Sequence, residues 1–323
     1  MPSLVQSLPR FPAKLISRGI AVSLIIAITS LIWDAWWHIA IGRDTFWEPP
    51  HLFLYASVIF AMVLGIYGYV EKKEPLWRNL VIVLALIPLS APFDDLWHRM
   101  FGVENLSTPL IVWSPPHLVL FGALIGSCIL ILPILRRDNV VFEHLLGAPL
   151  FATALSLLML LAGPFYPFGP YKLFSFWGAG VSPTVFILGY LVARDWLSIP
   201  GGAMLVSIIS LVLYHIYDAI PGPNILIPTY PHIPGFIIAF SYILPAILLD
   251  VTKGEKISRV TAGIIAGLTY GIITYTVGYY FVDYAFRYSI WDMALAVISC
   301  AVGGVAAGWL SIHAVKKLHN LLG

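Results

Sequence analysis

Charged residues are scarce in this sequence, and their scarcity excludes a soluble globular protein. Of the 323 residues, 11% are Asp, Glu, Lys or Arg and 59% are hydrophobic, and the mean hydropathy is +0.89. A soluble domain carries about 25% charged residues, because its surface faces water. Apolar runs of about 20 residues, the length that crosses a bilayer, recur along the whole chain. The composition therefore predicts an integral membrane protein that contacts the lipid bilayer.

The sequence also has few cysteines and a small net charge. Each of these limits the kinds of site and partner that the protein is expected to have. Cys128 and Cys300 are the two cysteines, and they lie far apart in separate apolar runs, which excludes a thiolate metal cluster. Any metal must therefore be held by nitrogen and oxygen ligands. The formal net charge of +2 gives no argument for nucleic acid as a partner, and we predict none.

The apolar segments, separated mostly by proline and glycine, predict an all-α polytopic bundle of about ten transmembrane helices. We place them at 15–41, 50–70, 79–101, 116–135, 146–166, 174–193, 201–220, 233–250, 259–282 and 290–312. With a cytoplasmic amino end, the inside loops and tails hold 14 of the 18 Lys and Arg residues. The outside loops hold Arg43, Arg99, Lys172 and Arg287. By the positive-inside rule, we predict a multi-pass cell-membrane protein with both termini cytoplasmic. Residues 1–323 are expected to form a single transmembrane domain of repeated helical hairpins.

Two of the predicted hairpins, at 15–70 and 79–135, share a motif that combines Asp and His. The first reads WDAWWH at 33–38, followed by Gly42 and by WEPPH at 47–51. The second reads FDDLWH at 93–98, followed by Gly102 and by WSPPH at 113–117. A third hairpin, at 201–250, repeats the pattern more faintly with His215 and His232. The predicted outer side thus collects histidines in three hairpins.

The spacing of the motif predicts that its polar side chains converge. Asp34 and His38 are four residues apart and so lie on one helix face, as do Asp94 and His98. Proline is well tolerated in the first turn of a helix, so each Pro-Pro pair is expected to start the returning helix with a His in its first turn. An Asp at mid-bilayer costs roughly 2.5–3.5 kcal/mol and needs a partner, which a bound cation would supply. We therefore predict metal binding near the extracytoplasmic face. The predicted ligands are Asp34, His38, His51, Asp94, His98, His117, His215 and His232.

The ligand types bear on the metal and on the function. Imidazole and carboxylate without thiolate favour copper, zinc or iron, and of these we predict copper. Two alternatives to a metal stay open for the histidines: an internal hydrogen-bond network, and a b-type haem held by paired histidines. For function, the sequence favours a copper or iron oxidoreductase acting on a small or apolar substrate, alone or with partner subunits. The alternatives are a metal transport or handling protein, a zinc-dependent membrane hydrolase and a structural subunit of a respiratory complex.

The pattern Asp34-x3-His38-x12-His51 resembles the metal-binding Asp-x3-His-x12-His motif in the C subunit of particulate methane and ammonia monooxygenases. In that family the motif joins the end of one membrane helix to the next and holds copper. The match covers residues 34–51 of the first hairpin, and the second hairpin departs from it with 18 residues between His98 and His117. The resemblance implies that Asp34, His38 and His51 are copper ligands in an oxidative membrane enzyme.

Overall fold

The described part of the chain is helical and contains no β-strand. The computed structural model describes residues 12–42, 47–102, 113–138, 140–162, 176–197, 199–215, 235–254, 257–281 and 288–321. The α-helices in these ranges are α1 (Ala13–Ala40), α2 (Pro49–Lys72), α3 (Pro75–Phe101), α4 (Pro115–Asp138), α5 (Val140–Ala162), α6 (Val181–Leu197), α7 (Gly202–His215), α8 (Gly235–Val251), α9 (Arg259–Gly271) and α10 (Ile290–Asn320). A 3₁₀ turn (Phe176–Gly180) precedes α6, and a π-helical turn (Ile272–Val277) extends α9. Each predicted apolar segment overlaps one of these helices.

The helices have the length and surface of membrane-spanning segments. Eight spans in the described ranges are long and apolar enough to cross a bilayer, and the apolar parts of α7 and α8 are shorter. Large apolar side chains cover the outside of the bundle; Trp291 is 81% exposed and Phe60 is 56% exposed. Such a surface is stable against lipid and would be a liability in water. These features confirm a polytopic helical membrane protein, while the count of ten spans and the cytoplasmic termini stay predictions.

The helices that carry the two motifs form a four-helix unit. α1 packs on α2, α2 on α3, and α3 on α4, and α4 returns to α1. The α1–α2 and α3–α4 hairpins therefore pack against each other as a pair of repeats. Fully buried leucines fill the space between them, among them Leu24, Leu80 and Leu124. α5 packs on α1 and α4 on one side and on α6 and α7 on the other, and so joins this unit to the remaining helices.

Glycine allows α9 and α10 to approach each other backbone to backbone. A Cβ built on Gly263 would lie 2.2 Å from the carbonyl oxygen of Gly304, and one on Gly304 would lie 2.1 Å from that of Gly263. One turn along, a Cβ on Gly267 would lie 2.3 Å from the carbonyl oxygen of Cys300. Membrane helices associate through such seams of small residues, because lipid gives them no hydrophobic drive to pair.

Charged residues tie the helices together at the end of the bundle opposite the motifs. At the carboxyl end of α4, Arg136 donates to the carbonyl oxygen of Trp196 (3.1 Å) and lies over its indole ring (4.6 Å). Nearby, Asp195 pairs with Arg194 (2.9 Å) and with Arg259 (2.8 Å). Buried Arg194 also donates to a carbonyl of α8, so its charge is satisfied within the bundle. The motifs and this basic network therefore occupy opposite ends of the helices.

Candidate metal centres

In both motifs, a glycine follows the end of the first helix of the hairpin. α1 and α3 each end one or two residues before the shared glycine of the motif. Gly42 has a φ of +102° and Gly102 a φ of +80°, a region that favours glycine because a Cβ would clash there. This conformation turns the chain away from the helix axis. It accounts for the glycine that both motifs place four residues after their histidine.

Both motifs then start the returning helix with proline, as predicted. Pro49 is the first residue of α2 and Pro115 the first residue of α4. His51 and His117 consequently occupy the third helical position, within the first turn. The side chains at the end of one helix and at the start of the next can therefore meet across each hairpin.

Asp94, His98 and His117 form a compact group at the junction of α3 and α4, here called the α3–α4 cluster. Asp94 Oδ1 lies 3.3 Å from His98 Nε2 and 3.3 Å from His117 Nε2. The side chains of Asp94, His98 and His117 are 14%, 8% and 20% exposed. With metal–ligand bonds of about 2.0–2.2 Å, neighbouring ligand atoms of one ion are about 3–3.5 Å apart. The two distances from Asp94 Oδ1 therefore match ligands of one ion, and one donor atom of each residue lies within 4.8 Å of the others.

A backbone contact orients one imidazole of this cluster. His98 Nδ1 lies 3.4 Å from the carbonyl oxygen of Gly102, a long contact in which only the ring nitrogen can donate. With the proton on Nδ1, a neutral His98 turns the lone pair of Nε2 towards Asp94 Oδ1. A metal ion between these two atoms would accept a lone pair from each, whereas a protonated His98 would donate from Nε2 to Asp94 Oδ1. Metal-binding histidines commonly donate their second ring nitrogen to a backbone carbonyl in this way.

Asp34, Glu48 and His51 form the corresponding group at the junction of α1 and α2, here called the α1–α2 cluster. Asp34 Oδ1 lies 3.1 Å from His51 Nε2. Glu48 completes the group, with one donor atom of each residue within 4.8 Å of the others. As whole residues, Asp34, Glu48 and His51 are 9%, 5% and 8% exposed, and the side chains of Asp34 and His51 are 12% and 10% exposed, so this cluster is buried. Two carboxylates and one imidazole thus gather away from water.

Glu48 is absent from the ligands predicted from sequence. It is the residue before α2, and its side chain does not cap that helix. The signal that could have revealed it is its place inside the repeated Trp-x-Pro-Pro-His motif, where the second hairpin has Ser114. An acidic residue at a helix start, three positions before a candidate metal-binding histidine, is expected to lie in the same cluster as that histidine.

The remaining predicted ligands lie outside the described residues or side chains. His38 is part of α1 and His215 is the last residue of α7, but their side chains are not among those described. His232 lies outside the described residues altogether. Their part in a site stays a prediction. Among the described residues, the candidate ligands of the two hairpins gather in two separate groups, and each group comes from one hairpin.

Aromatic side chains extend the repeat one turn beyond the histidines. The rings of His51 and Tyr55 are 6.3 Å apart, and those of His117 and Phe121 are stacked at 5.7 Å. Each pair is four residues apart on its helix. Phe121 is buried and packs against the imidazole from the core side. Both imidazoles are therefore held between their carboxylate and an aromatic ring.

Neighbouring acidic residues do not all belong to the clusters. Asp95, next to Asp94, pairs instead with Arg99 (2.7 Å), and both side chains are exposed. This ion pair lies on another face of α3. It makes Asp95 a matched control for experiments on Asp94.

Comparison with known proteins gives no match. No protein-family model matches the chain, and no curated protein or solved structure matches it. The function is therefore argued from the chemistry of the two clusters.

Proposed function

We propose that this protein is an integral-membrane metalloprotein that holds one metal ion in each cluster and carries out oxidative chemistry on a small or apolar substrate. One observation carries the proposal: a single oxygen of Asp94 lies 3.3 Å from ring nitrogens of both His98 and His117. A metal ion among these three atoms would accept a lone pair from each. Without one, the same oxygen would accept a hydrogen bond from each imidazole, and His98, whose Nδ1 faces a carbonyl oxygen, would have to carry a positive charge to donate from Nε2 as well.

The charges of the α1–α2 cluster support a cation there as well. Asp34 and Glu48 bring two carboxylates within 4.8 Å of each other in a buried place. Like charges at such a distance repel, and burial strengthens the repulsion. Protonation of His51 would offset one of the two negative charges. A divalent cation would offset both and would use the lone pair of His51 as a third ligand.

The donor atoms favour a redox metal. Two histidines and one carboxylate with open positions are the ligand set of non-haem iron(II) oxygenases, and imidazole also suits copper. The resemblance of residues 34–51 to the monooxygenase motif supports copper in the α1–α2 cluster. We therefore propose copper first and iron second. Such a metal would supply electron transfer or dioxygen activation, while the protein's own residues hold and shield it.

The surroundings of the α3–α4 cluster support an apolar substrate. Phe93 and Leu96 on α3 and Leu118 on α4 flank the ligands in sequence and are exposed on the outside of the bundle. This surface faces lipid in a membrane-spanning bundle. A substrate dissolved in the bilayer would reach the cluster sideways, without passing through water. A partner subunit of a larger complex would dock against the same apolar outer surface.

Zinc-dependent hydrolysis is the second candidate, and one observation favours it. The α3–α4 cluster offers three protein ligands, and catalytic zinc is typically held by three protein ligands and one water. Transport is less favoured, because both clusters lie near helix ends, whereas transporters usually bind their cargo near the membrane midplane.

Elemental analysis of gently purified protein tests the proposal. We expect two equivalents of copper or iron in the wild type, and one in the Asp94→Asn variant. Asp95→Asn is the matched control, and we expect it to keep both. Zinc alone would replace the oxidoreductase proposal with the hydrolase. Wild-type protein without metal, from native membranes and after reconstitution with copper, iron and zinc, would overturn the metalloprotein proposal.

A further inference from the structure

A groove of about 460 Å³ lies between α1 and α2 on the outside of the bundle. Small residues of both helices leave this space, Gly19 and Ser23 on α1 and Ala56 and Ser57 on α2. On α1 the lining extends from Gly19 to Ile26, a rise of about 10 Å at 1.5 Å per residue. The hydrocarbon core of a bilayer is about 30 Å thick, so the groove is short enough to lie within one leaflet.

The lining of the groove suits a hydrocarbon chain. Four exposed apolar side chains contribute to it: Val22, Ile26, Phe53 and Phe60. Its two hydroxyl groups already donate to carbonyl oxygens of their own helices, Ser23 to Gly19 (2.7 Å) and Ser57 to Phe53 (2.7 Å). The ring of Phe53 packs against that of Trp33 (5.9 Å), which holds it in place. A polar small molecule would therefore gain little from this groove.

Two basic residues continue the groove towards the membrane surface, on the side opposite the metal clusters. Lys14, Arg18 and Val22 are spaced by four residues and so lie in one row on α1. Lys14 is exposed and Arg18 half-buried. Side chains on a helix lean towards its amino end, and long basic side chains near a helix end extend to the interface. Both positive charges are thus expected at the level of lipid headgroups.

The surrounding charges leave this end of the hairpin positive. Glu71, near the end of α2, is followed directly by Lys72 and Lys73. Asp138 of α4 accepts a hydrogen bond from buried Ser17, which places it on the core side of α1. An apolar groove alone would also accept a helix from a second copy of the chain. The basic row gives such a helix no partner, whereas it gives one to a lipid phosphate.

We infer that the α1–α2 groove binds one phospholipid with a negatively charged headgroup. One acyl chain lies in the groove, and the headgroup phosphate lies against Lys14 and Arg18. Each basic residue near an anionic lipid strengthens binding by about fivefold. The inference does not depend on the proposed function, because none of these residues belongs to a metal cluster.

Native mass spectrometry of delipidated protein in mild detergent tests the headgroup, with phosphatidylglycerol and phosphatidylcholine of the same acyl chains as probes. We expect the wild type to retain one phosphatidylglycerol in preference to phosphatidylcholine. The double variant Lys14→Gln, Arg18→Gln should bind phosphatidylglycerol about 25-fold more weakly, fivefold for each residue. The double variant Lys316→Gln, Lys317→Gln removes the same charge at the same end of the bundle and should keep the preference. A preference that survives the loss of Lys14 and Arg18 would overturn the headgroup assignment.

A bulky residue in the groove tests the acyl chain. Ala56 is exposed at the groove, so Ala56→Phe should fill it and release the retained phosphatidylglycerol. Ala294→Phe makes the same change at an exposed alanine of α10 and should retain the lipid. If Ala56→Phe does not purify as folded protein, Ala56→Leu takes its place. Retention of the lipid by the groove variant would overturn the inference. So would a wild-type dimer without retained lipid that Ala56→Phe separates, because the groove would then hold a second copy.

Discussion

Replacing Gly304 by alanine places a methyl group against backbone that cannot rotate aside. The new Cβ would lie 2.1 Å from Gly263 O, 2.7 Å from Gly263 C and 3.2 Å from Ile264 Cα. Carbon–oxygen contacts between packed helices are about 3.3–3.6 Å, so α9 and α10 must separate by about 1 Å at this point. Overpacking of this kind costs about 1–3 kcal/mol, and the better helix propensity of alanine returns at most about 1 kcal/mol. We expect a net loss of about 1 kcal/mol in the free energy of unfolding.

Denaturant-induced unfolding in mild detergent, followed by tryptophan fluorescence, measures this loss. Gly122→Ala is the matched control, because a Cβ on Gly122 of α4 meets no atom within 4 Å. There, the same chemical change should stabilise the helix by about 0.5–1 kcal/mol. The two variants should therefore shift stability in opposite directions. A Gly304→Ala protein as stable as the wild type would refute the backbone contact of α9 with α10.

Three further changes test other parts of the structure. Glu48→Gln removes a charged ligand from the α1–α2 cluster, so we expect one of the two metal ions to be lost in elemental analysis; retention of both would exclude Glu48 as a ligand. Gly102→Ala forces a side chain into a backbone region that is essentially limited to glycine (φ +80°, ψ 171°), and detergent unfolding should show a loss of about 1–3 kcal/mol. Asp250 accepts hydrogen bonds from the amides of Ala203 (3.1 Å) and Met204 (2.9 Å) at the start of α7. Asp250→Ala should cost about 1–2 kcal/mol in the same assay, and no loss would argue against this cap.

The helices could be predicted from sequence because their apolar cores have the length of a bilayer and proline or glycine separates them. Their ends could not. α6 extends to Leu197, beyond the predicted end at 193, because Arg194 is buried and pairs there with Asp195. α10 likewise extends to Asn320, beyond 312, and carries Lys316 and Lys317 in its last turns. Hydropathy predicts only the part of a helix that faces lipid. A helix that continues into water or into a polar contact is longer than that part.

The pairing of Asp94 with His98 could be predicted, because a spacing of four residues fixes one helix face whatever the helix packs against. The positions of His51 and His117 followed from the Pro-Pro pairs, which start a helix for local reasons. Glu48 could not be predicted in the same way. Glu48 lies just before a helix. The direction of its side chain therefore depends on how the two helices of the hairpin pack. The grouping of ligands by hairpin is also a result of packing, which sequence spacing does not contain.

The repeat itself indicates which differences matter for function. The glycine, the paired prolines, the Asp and the His are kept in both hairpins, and each occupies the same place in its hairpin. Against this shared frame, the second hairpin has a short neutral serine, Ser114, where the first has Glu48, whose carboxylate lies with the donor atoms of Asp34 and His51. A hydrogen-bond network would gain nothing from a buried serine whose hydroxyl lacks a partner among the described residues. Glu48, at the equivalent place of the first hairpin, brings a second carboxylate next to Asp34 and His51, and a bound cation would offset the repulsion between the two carboxylates.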